Sequence, residues 1–151
     1  MIVALDSSPL SLLAQRHGVA PADECREWAD AMGRAGHSIV VPAIADYEVR
    51  RELLRANKLS SITRLDEIRA NPRLMFLPMT DAALLRAASL WADARKRGLP
   101  TAHPSELDCD VLLVAILLTS GIPANQVVVA TSNVGHLARF LPAQTWQNIV
   151  P

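Results

Sequence analysis

Ile2-Val3-Ala4-Leu5-Asp6-Ser7-Ser8-Pro9 runs a strand directly into a helix, and reading it that way decides the fold. The four apolar residues suit a buried strand. Asp6, Ser7 and Ser8 carry oxygens that cap a helix, and Pro9 fits its first turn ahead of Leu10, Leu12 and Leu13. The alternation continues outward. Ser38-Ile39-Val40-Val41-Pro42 reads as a second strand stopped by its proline, and a helix follows over residues 43–57. Leu74-Met75-Phe76-Leu77 is a third strand closed by Pro78, after which Thr80 caps a helix reaching about residue 97. Val127-Val128-Val129-Ala130 is a fourth, and residues 146–150 are expected to add a fifth.

Further helices are expected over residues 22–35, ending at Gly36, and over residues 60–70, before Asn71-Pro72. Residues 98–104 read as a loop, and residues 110–118 as a helix apolar nearly all round, ended by Gly121 and Pro123. Short strands alternating with helices predict an α/β fold with a mainly parallel sheet of four to five strands, covered on both faces. Right-handed crossovers bring every strand's C-terminal end to one rim, where such sheets bind ligands. Along the long helix that Thr80 caps, Leu84, Ala88 and Trp91 form a stripe expected to be core, with a dimer face as the other reading. No repeat, low-complexity tract or linker divides residues 1–151, so one domain is expected.

Composition narrows the function. Half the chain is hydrophobic and a fifth is charged, which excludes a disordered protein. The longest apolar run, residues 111–118, is too short to cross a bilayer, and Met1 to Asp6 lacks the basic start of a signal peptide. Cys25 and Cys109 have no metal-type spacing and read as free thiols of a cytoplasmic protein. Fifteen basic residues balance fifteen acidic ones, so any nucleic-acid contact must use a local patch. Arg50, Arg51, Arg55 and Lys58 offer one, and Arg95, Lys96 and Arg97 another. Each group reads equally well as a solvated helix face, with Asp46 and Arg50 as an i,i+4 pair.

Four residues stand where strands hand over to helices, or on the helix beside them: Asp6, Glu48, Asp110 and Asn133. Carboxylates distant in sequence but gathered at one sheet edge are suited to a hard cation such as Mg²⁺. Each also has a plainer reading. Asp6 serves as a helix cap, Glu48 as a surface acid, and Asn133 as a turn residue. Asp108 and Asp110 are the sharper pair. A cap needs only one of them, and residues two apart do not share a helix face. Asp110 is therefore the expected ligand, with Asp108 supporting it or holding a second ion. His136 reads as a helix-end polar residue, and the other histidines have no zinc spacing. A Gly-rich phosphate loop and a Ser/His/Asp nucleophile signature are both absent.

In this order the segments resemble the PIN domain. The likeness rests on Val3-Ala4-Leu5-Asp6-Ser7-Ser8, on Tyr47-Glu48-Val49-Arg50-Arg51-Glu52-Leu53, on Leu107-Asp108-Cys109-Asp110-Val111-Leu112-Leu113-Val114-Ala115, and on Ala130-Thr131-Ser132-Asn133-Val134-Gly135-His136-Leu137. The resemblance implies a three-layer α/β/α sandwich and a metal-dependent ribonuclease. Its acidic pocket would hold one or two Mg²⁺ or Mn²⁺ ions. By position, Asp6, Glu48 and Asp110 match the family's three core acids. Asn133 stands where many members carry a fourth acid, which removes one negative charge.

On that basis the expected catalytic residues are Asp6, Glu48, Asp110 and Asn133. The expected metal ligands are Asp6, Glu48, Asp108 and Asp110, and the expected substrate contacts are Ser7, Arg50, Arg51 and Thr131. RNA is the expected substrate. Small single-domain members suggest an antitoxin protein as partner, and a homodimer. Asn133 motivates the alternative of a catalytically weak module that binds RNA or a protein. Two other classes are disfavoured. A haloacid-type phosphatase wants Asp where Ser8 stands, and a receiver domain wants a late Lys, yet none follows Lys96.

Overall fold

The computed structural model describes residues 1–151 and contains one five-stranded sheet, parallel throughout. The strands are β1 (Ile2–Leu5), β2 (Ser38–Pro42), β3 (Leu74–Leu77), β4 (Val127–Ala130) and β5 (Ala143–Gln144), in the spatial order β3-β2-β1-β4-β5. Seven helices connect them: α1 (Ser7–Leu13), α2 (Ala20–Arg34), α3 (Ala43–Arg55), α4 (Leu59–Ala70), α5 (Asp81–Lys96), α6 (Cys109–Thr119) and α7 (Val134–Leu137). The chain starts in the middle strand, builds outward to one side through β2 and β3, then returns to build the other side through β4 and β5. The reversal falls at β1 and opens a crevice between the ends of β1 and β4, the usual ligand position in an open parallel sheet.

Two hydrophobic clusters lie on opposite faces of the sheet. Val3, Leu5, Ile39, Val41, Val128 and Ala130 point to one face and pack with Leu10, Cys25, Trp28, Met32 and Leu65. Ala4, Val40, Val127 and Val129 point to the other and pack with Ala87, Leu90, Leu113, Ile116 and Leu117. Successive strand residues alternate sides, so the apolar runs of β1, β3 and β4, and of β2 after Ser38, are what a sheet covered on both faces requires. The three-layer arrangement expected from the sequence is present.

Two expectations fail. The fifth strand is Ala143–Gln144, paired with Val129 and Ala130, while Trp146–Asn148 forms a 3₁₀ turn. The cause is Trp28, whose indole N–H donates to the Ile149 carbonyl at 2.8 Å and whose ring lies 5.7 Å from that of Trp146. These contacts draw the C-terminal segment off the sheet and onto α2. On α5 the buried residues are Ala83, Ala87, Leu90 and Ala94 rather than the expected stripe. Leu84 is half exposed, Ala88 is exposed, and Trp91 is partly covered, with the Arg95 guanidinium 4.2 Å over its ring. Alanines at the contact with α6 permit close approach, so the phase of the helix follows the small residues and not the large ones. No helix is long and apolar enough to cross a membrane.

Leu113 is 1 % exposed and packs against the sheet from α6. Leu113→Ala is expected to cost about 2–5 kcal/mol of stability, the range for truncating a well-packed leucine, read as a lowered midpoint in urea unfolding.

Candidate functional site

The end of β1 supplies Asp6, a residue 6 % exposed whose carboxylate has both oxygens engaged. Oδ1 accepts from the Ser7 N–H at 2.7 Å, capping α1, and Oδ2 accepts from the Thr131 hydroxyl at 2.6 Å. The Asp6 N–H donates to the Ala130 carbonyl at 3.0 Å, extending the β1–β4 ladder by one residue. Thr131 in turn accepts from the Asn133 N–H at 2.8 Å. The Asn133 side-chain amide donates to Asp110 Oδ2 at 3.1 Å, and this connects the β4 end to α6.

His136 belongs to the same group. Its Nδ1 lies 3.1 Å from Asp110 Oδ2 and 3.0 Å from Asn133 Nδ2, and its tautomer decides which of them it bonds. Sequence reading assigned it to a helix end. It does stand on the four-residue helix α7, and the three-residue spacing from Asn133 was the available signal.

Glu48 reaches the pocket from α3, one turn past Ile44. The three carboxylates lie close enough to disturb one another. Burial, then the charge of Asp6, raises the Glu48 pKa above the usual carboxylate range, and Asp110 adds to the rise. The Cys109 thiol and Arg51 pull it back down. Asp110 is likewise raised, chiefly by burial and then by Asp6 and Asp108, while its hydrogen bond with His136 opposes the rise. Burial and the charge of Glu48 push the Cys109 thiol up to about 12, so it stays protonated at neutral pH and is no thiolate nucleophile.

The other sequence candidates divide. Asp108 is the N-cap of α6: Oδ1 accepts from the Val111 N–H at 3.2 Å and Oδ2 from the Thr101 hydroxyl at 2.5 Å. Both its oxygens are therefore committed, whereas Asp110 Oδ1 has no protein hydrogen bond. Arg50 is not brought to the pocket. It forks onto Asp46 at 2.8 and 3.2 Å and reaches Asp66 on α4 at 2.7 Å, tying α3 to α4. Arg51 stays near Glu48, with its guanidinium 5.3 Å over the Tyr47 ring. Thr131 does reach the pocket, but its hydroxyl is spent on Asp6 and Asn133. Ser7 sits beside Asp6 with its hydroxyl unbonded to protein.

Oxygen donors gathered under mutual repulsion suit a hard divalent cation in both charge and donor type. No three His, Cys, Asp or Glu side chains surround a single point closely enough to hold an ion directly. The group thus fits Mg²⁺ or Mn²⁺ only with water completing the coordination, which is how Mg²⁺ is ordinarily held. A cavity of about 780 Å³ lies elsewhere, between α2 and α4, and contains none of these residues.

No family model and no curated protein matches the chain by sequence. Solved structures do match it by shape. A chain of VapBC2 from Rickettsia felis, bound to a DNA fragment from their promoter, superimposes with a TM-score of 0.71 at 16 % identity, covering 97 % of this chain and 99 % of that one. A chain of VapBC-1 from nontypeable Haemophilus influenzae gives 0.67 at 18 % identity, covering 98 % and 100 %. A chain of DNA-bound VapBC from Salmonella typhimurium gives 0.59 at 15 % identity, covering 97 % and 98 %. At these identities the likeness is one of fold.

A carboxyl whose pKa is raised on folding holds its proton longer in the folded chain than in the unfolded one. It therefore stabilises the fold at low pH, and that stability is lost as pH rises through the raised value. Glu48→Gln keeps the neutral form at every pH. In divalent-free buffer the variant is expected to melt a few degrees above the wild type at pH 7. The gain should shrink toward zero near pH 4, the ordinary range for Glu, in a pair of calorimetric melts.

Proposed function

We propose, from the premise that this chain has the PIN-like fold, that it hydrolyses RNA phosphodiester bonds at the acidic pocket. The observation that carries the reading is the convergence of Asp6, Glu48 and Asp110 from three separate elements, each pair close enough for its charges to interact. In this reading the three carboxylates hold Mg²⁺ or Mn²⁺, directly or through water. Asp108 supports Asp110 by fixing the start of α6. A bound ion of this kind supplies an activated water and neutralises charge on the leaving oxygen. Asn133 and His136 orient the Asp110 carboxylate, and Thr131 orients that of Asp6. Arg51 at the rim and the free Ser7 hydroxyl are the proposed phosphate contacts.

The same reading makes the chain the toxin of a toxin–antitoxin pair in the cytoplasm, with an antitoxin protein as partner. The VapBC assemblies of matching fold support this. A homodimer fits it too, since Leu84, Leu85 and Ala88 leave an apolar face exposed on α5.

Calorimetric titration of Mn²⁺ into metal-stripped protein is the first test, because it needs no knowledge of the RNA. Saturable binding is expected in the wild type. Asp110→Asn should weaken it by at least about 100-fold, the upper end for losing a mere partner of a ligand, with the circular dichroism spectrum unchanged. The same variant should lose metal-dependent cleavage of RNA, and retained cleavage would overturn the assignment.

A second reading, an RNA- or protein-binding module with little catalysis, is favoured by one feature. The fourth position is the neutral Asn133, whose amide already compensates Asp110. Under that reading, RNA binding measured by filter retention persists in EDTA. Under the nuclease reading, EDTA weakens binding and stops cleavage together.

A further inference from the structure

A second niche lies on the same rim, on the β5 side of Asp6, and the acidic pocket leaves it unused. It is a cleft of about 280 Å³ walled by Ser8, Thr131, Ser132, Thr145, Trp146 and Gln147, with Leu12 as its apolar side. Thr131 is shared, since its hydroxyl is the one that holds Asp6. Ser8 is shared too: its hydroxyl accepts from the Ser132 N–H at 2.9 Å, fixing the α1 start against the turn after β4. The niche is thus built on the strand-order reversal that positions the carboxylates.

Its chemistry is unlike theirs. No charged side chain lines it, so it has no cation to hold a phosphate by charge. What it offers is a set of uncharged hydrogen-bonding groups with no protein partner: the Ser132 and Thr145 hydroxyls, the Gln147 amide, and the Trp146 indole N–H. Thr145 precedes the final 3₁₀ turn without capping it, which leaves its side chain free. Trp28, by contrast, spends its indole N–H on Ile149 while its ring braces that of Trp146. An indole ring braced by a second tryptophan, beside several neutral donors and acceptors, suits a nucleobase and ribose.

We propose that this niche is a nucleoside subsite, which binds the uncharged base and ribose of the substrate nucleotide next to the phosphate held at the acidic pocket. This rests on the nuclease reading for the identity of the strand, but not for the chemistry of the niche. Its size admits a single nucleoside, so it would read one position of an RNA through base edge and ribose hydroxyls. Stacking and hydrogen bonds would carry the affinity, with little dependence on salt.

The test uses uniformly ¹⁵N-labelled full-length protein titrated with adenosine, guanosine, cytidine and uridine in turn, and with inorganic phosphate as control. At least one nucleoside is expected to shift the Ser132, Thr145 and Gln147 amides and the Trp146 indole signal saturably. The Thr145→Val/Gln147→Ala double variant, which touches neither carboxylates nor core, should bind it about tenfold more weakly, the loss of two modest hydrogen bonds. Trp146→Phe keeps a ring against Trp28 and should weaken binding through the lost N–H and the smaller ring. No saturable shift at these residues, the same shifts from inorganic phosphate, or unchanged binding in the double variant would each overturn the subsite. Metal-dependent cleavage by the wild type is scored separately. Nucleoside binding without cleavage removes the nuclease reading and leaves the niche standing, whereas cleavage without nucleoside binding does the reverse.

Discussion

The hydrogen bond from Thr131 to Asp6 joins residues 125 apart in the chain, and the geometry of the rim follows from it. A carboxylate as buried as Asp6 is costly unless both oxygens find donors, and here the Ser7 N–H and the Thr131 hydroxyl provide them. The pair fixes where β1 stops and α1 begins. It also fixes the turn after β4, because the Thr131 oxygen accepts the Asn133 N–H. From Asn133 the contacts continue to Asp110 and His136 on two further helices. One chain of polar contacts therefore runs from β1 to α6, and each link places the next residue of the pocket.

Holding Glu48 and Asp110 beside Asp6 works against stability, since each pair repels. The fold offsets this elsewhere. Helix α6 buries six of its residues, Val111, Leu113, Val114, Ala115, Ile116 and Leu117, which anchors Asp110 from below. Asp108 takes over the capping of that helix, and so the helix end makes no demand on the Asp110 carboxylate. Two acids of similar appearance in the sequence thus have opposite fates: one is satisfied by the backbone and a threonine, the other is left with an open oxygen. Local strain of this kind, balanced by an over-determined core, is where proteins commonly trade stability for a site.

The alternation of strands and helices was legible because the four longer strands are almost wholly apolar and their ends carry proline, glycine or capping residues. Helix limits inferred from those signals agree with the structure to within about two residues, the usual uncertainty of such boundaries. What local pattern could not reveal depended on distant partners. The segment at Trp146 has strand-like composition, but Trp28 claims it. The face of α5 is chosen by the alanines that fit α6, so the larger Leu84 faces solvent. In the site, Asp6, Glu48 and Asp110 were legible from their positions after strands and on helices. Arg50 was legible only as two equal readings, and the buried Asp46 decided between them. His136 lies at a helix end as expected, but nothing in Val134-Gly135-His136 announces a carboxylate on another helix.

Asn133 has consequences beyond the removal of a charge. An acid at that position would be a fourth mutually repelling group and could not donate to Asp110 unless protonated. The amide donates, and it does so to Oδ2, the oxygen that His136 also approaches. In the tautomer with hydrogen on Nδ1, two donors converge on this one oxygen and leave Oδ1 without a protein partner. The contacts that make Asp110 tolerable in the pocket therefore also select which of its oxygens is available to a ligand. A neutral residue at this place lowers the negative charge of the pocket but sharpens its geometry, and the two effects would act in opposite directions on the affinity for the proposed cation. Which effect prevails depends on the ion: reduced charge weakens any hard cation, while a fixed oxygen favours one that holds its ligands in a strict octahedron, as Mg²⁺ does.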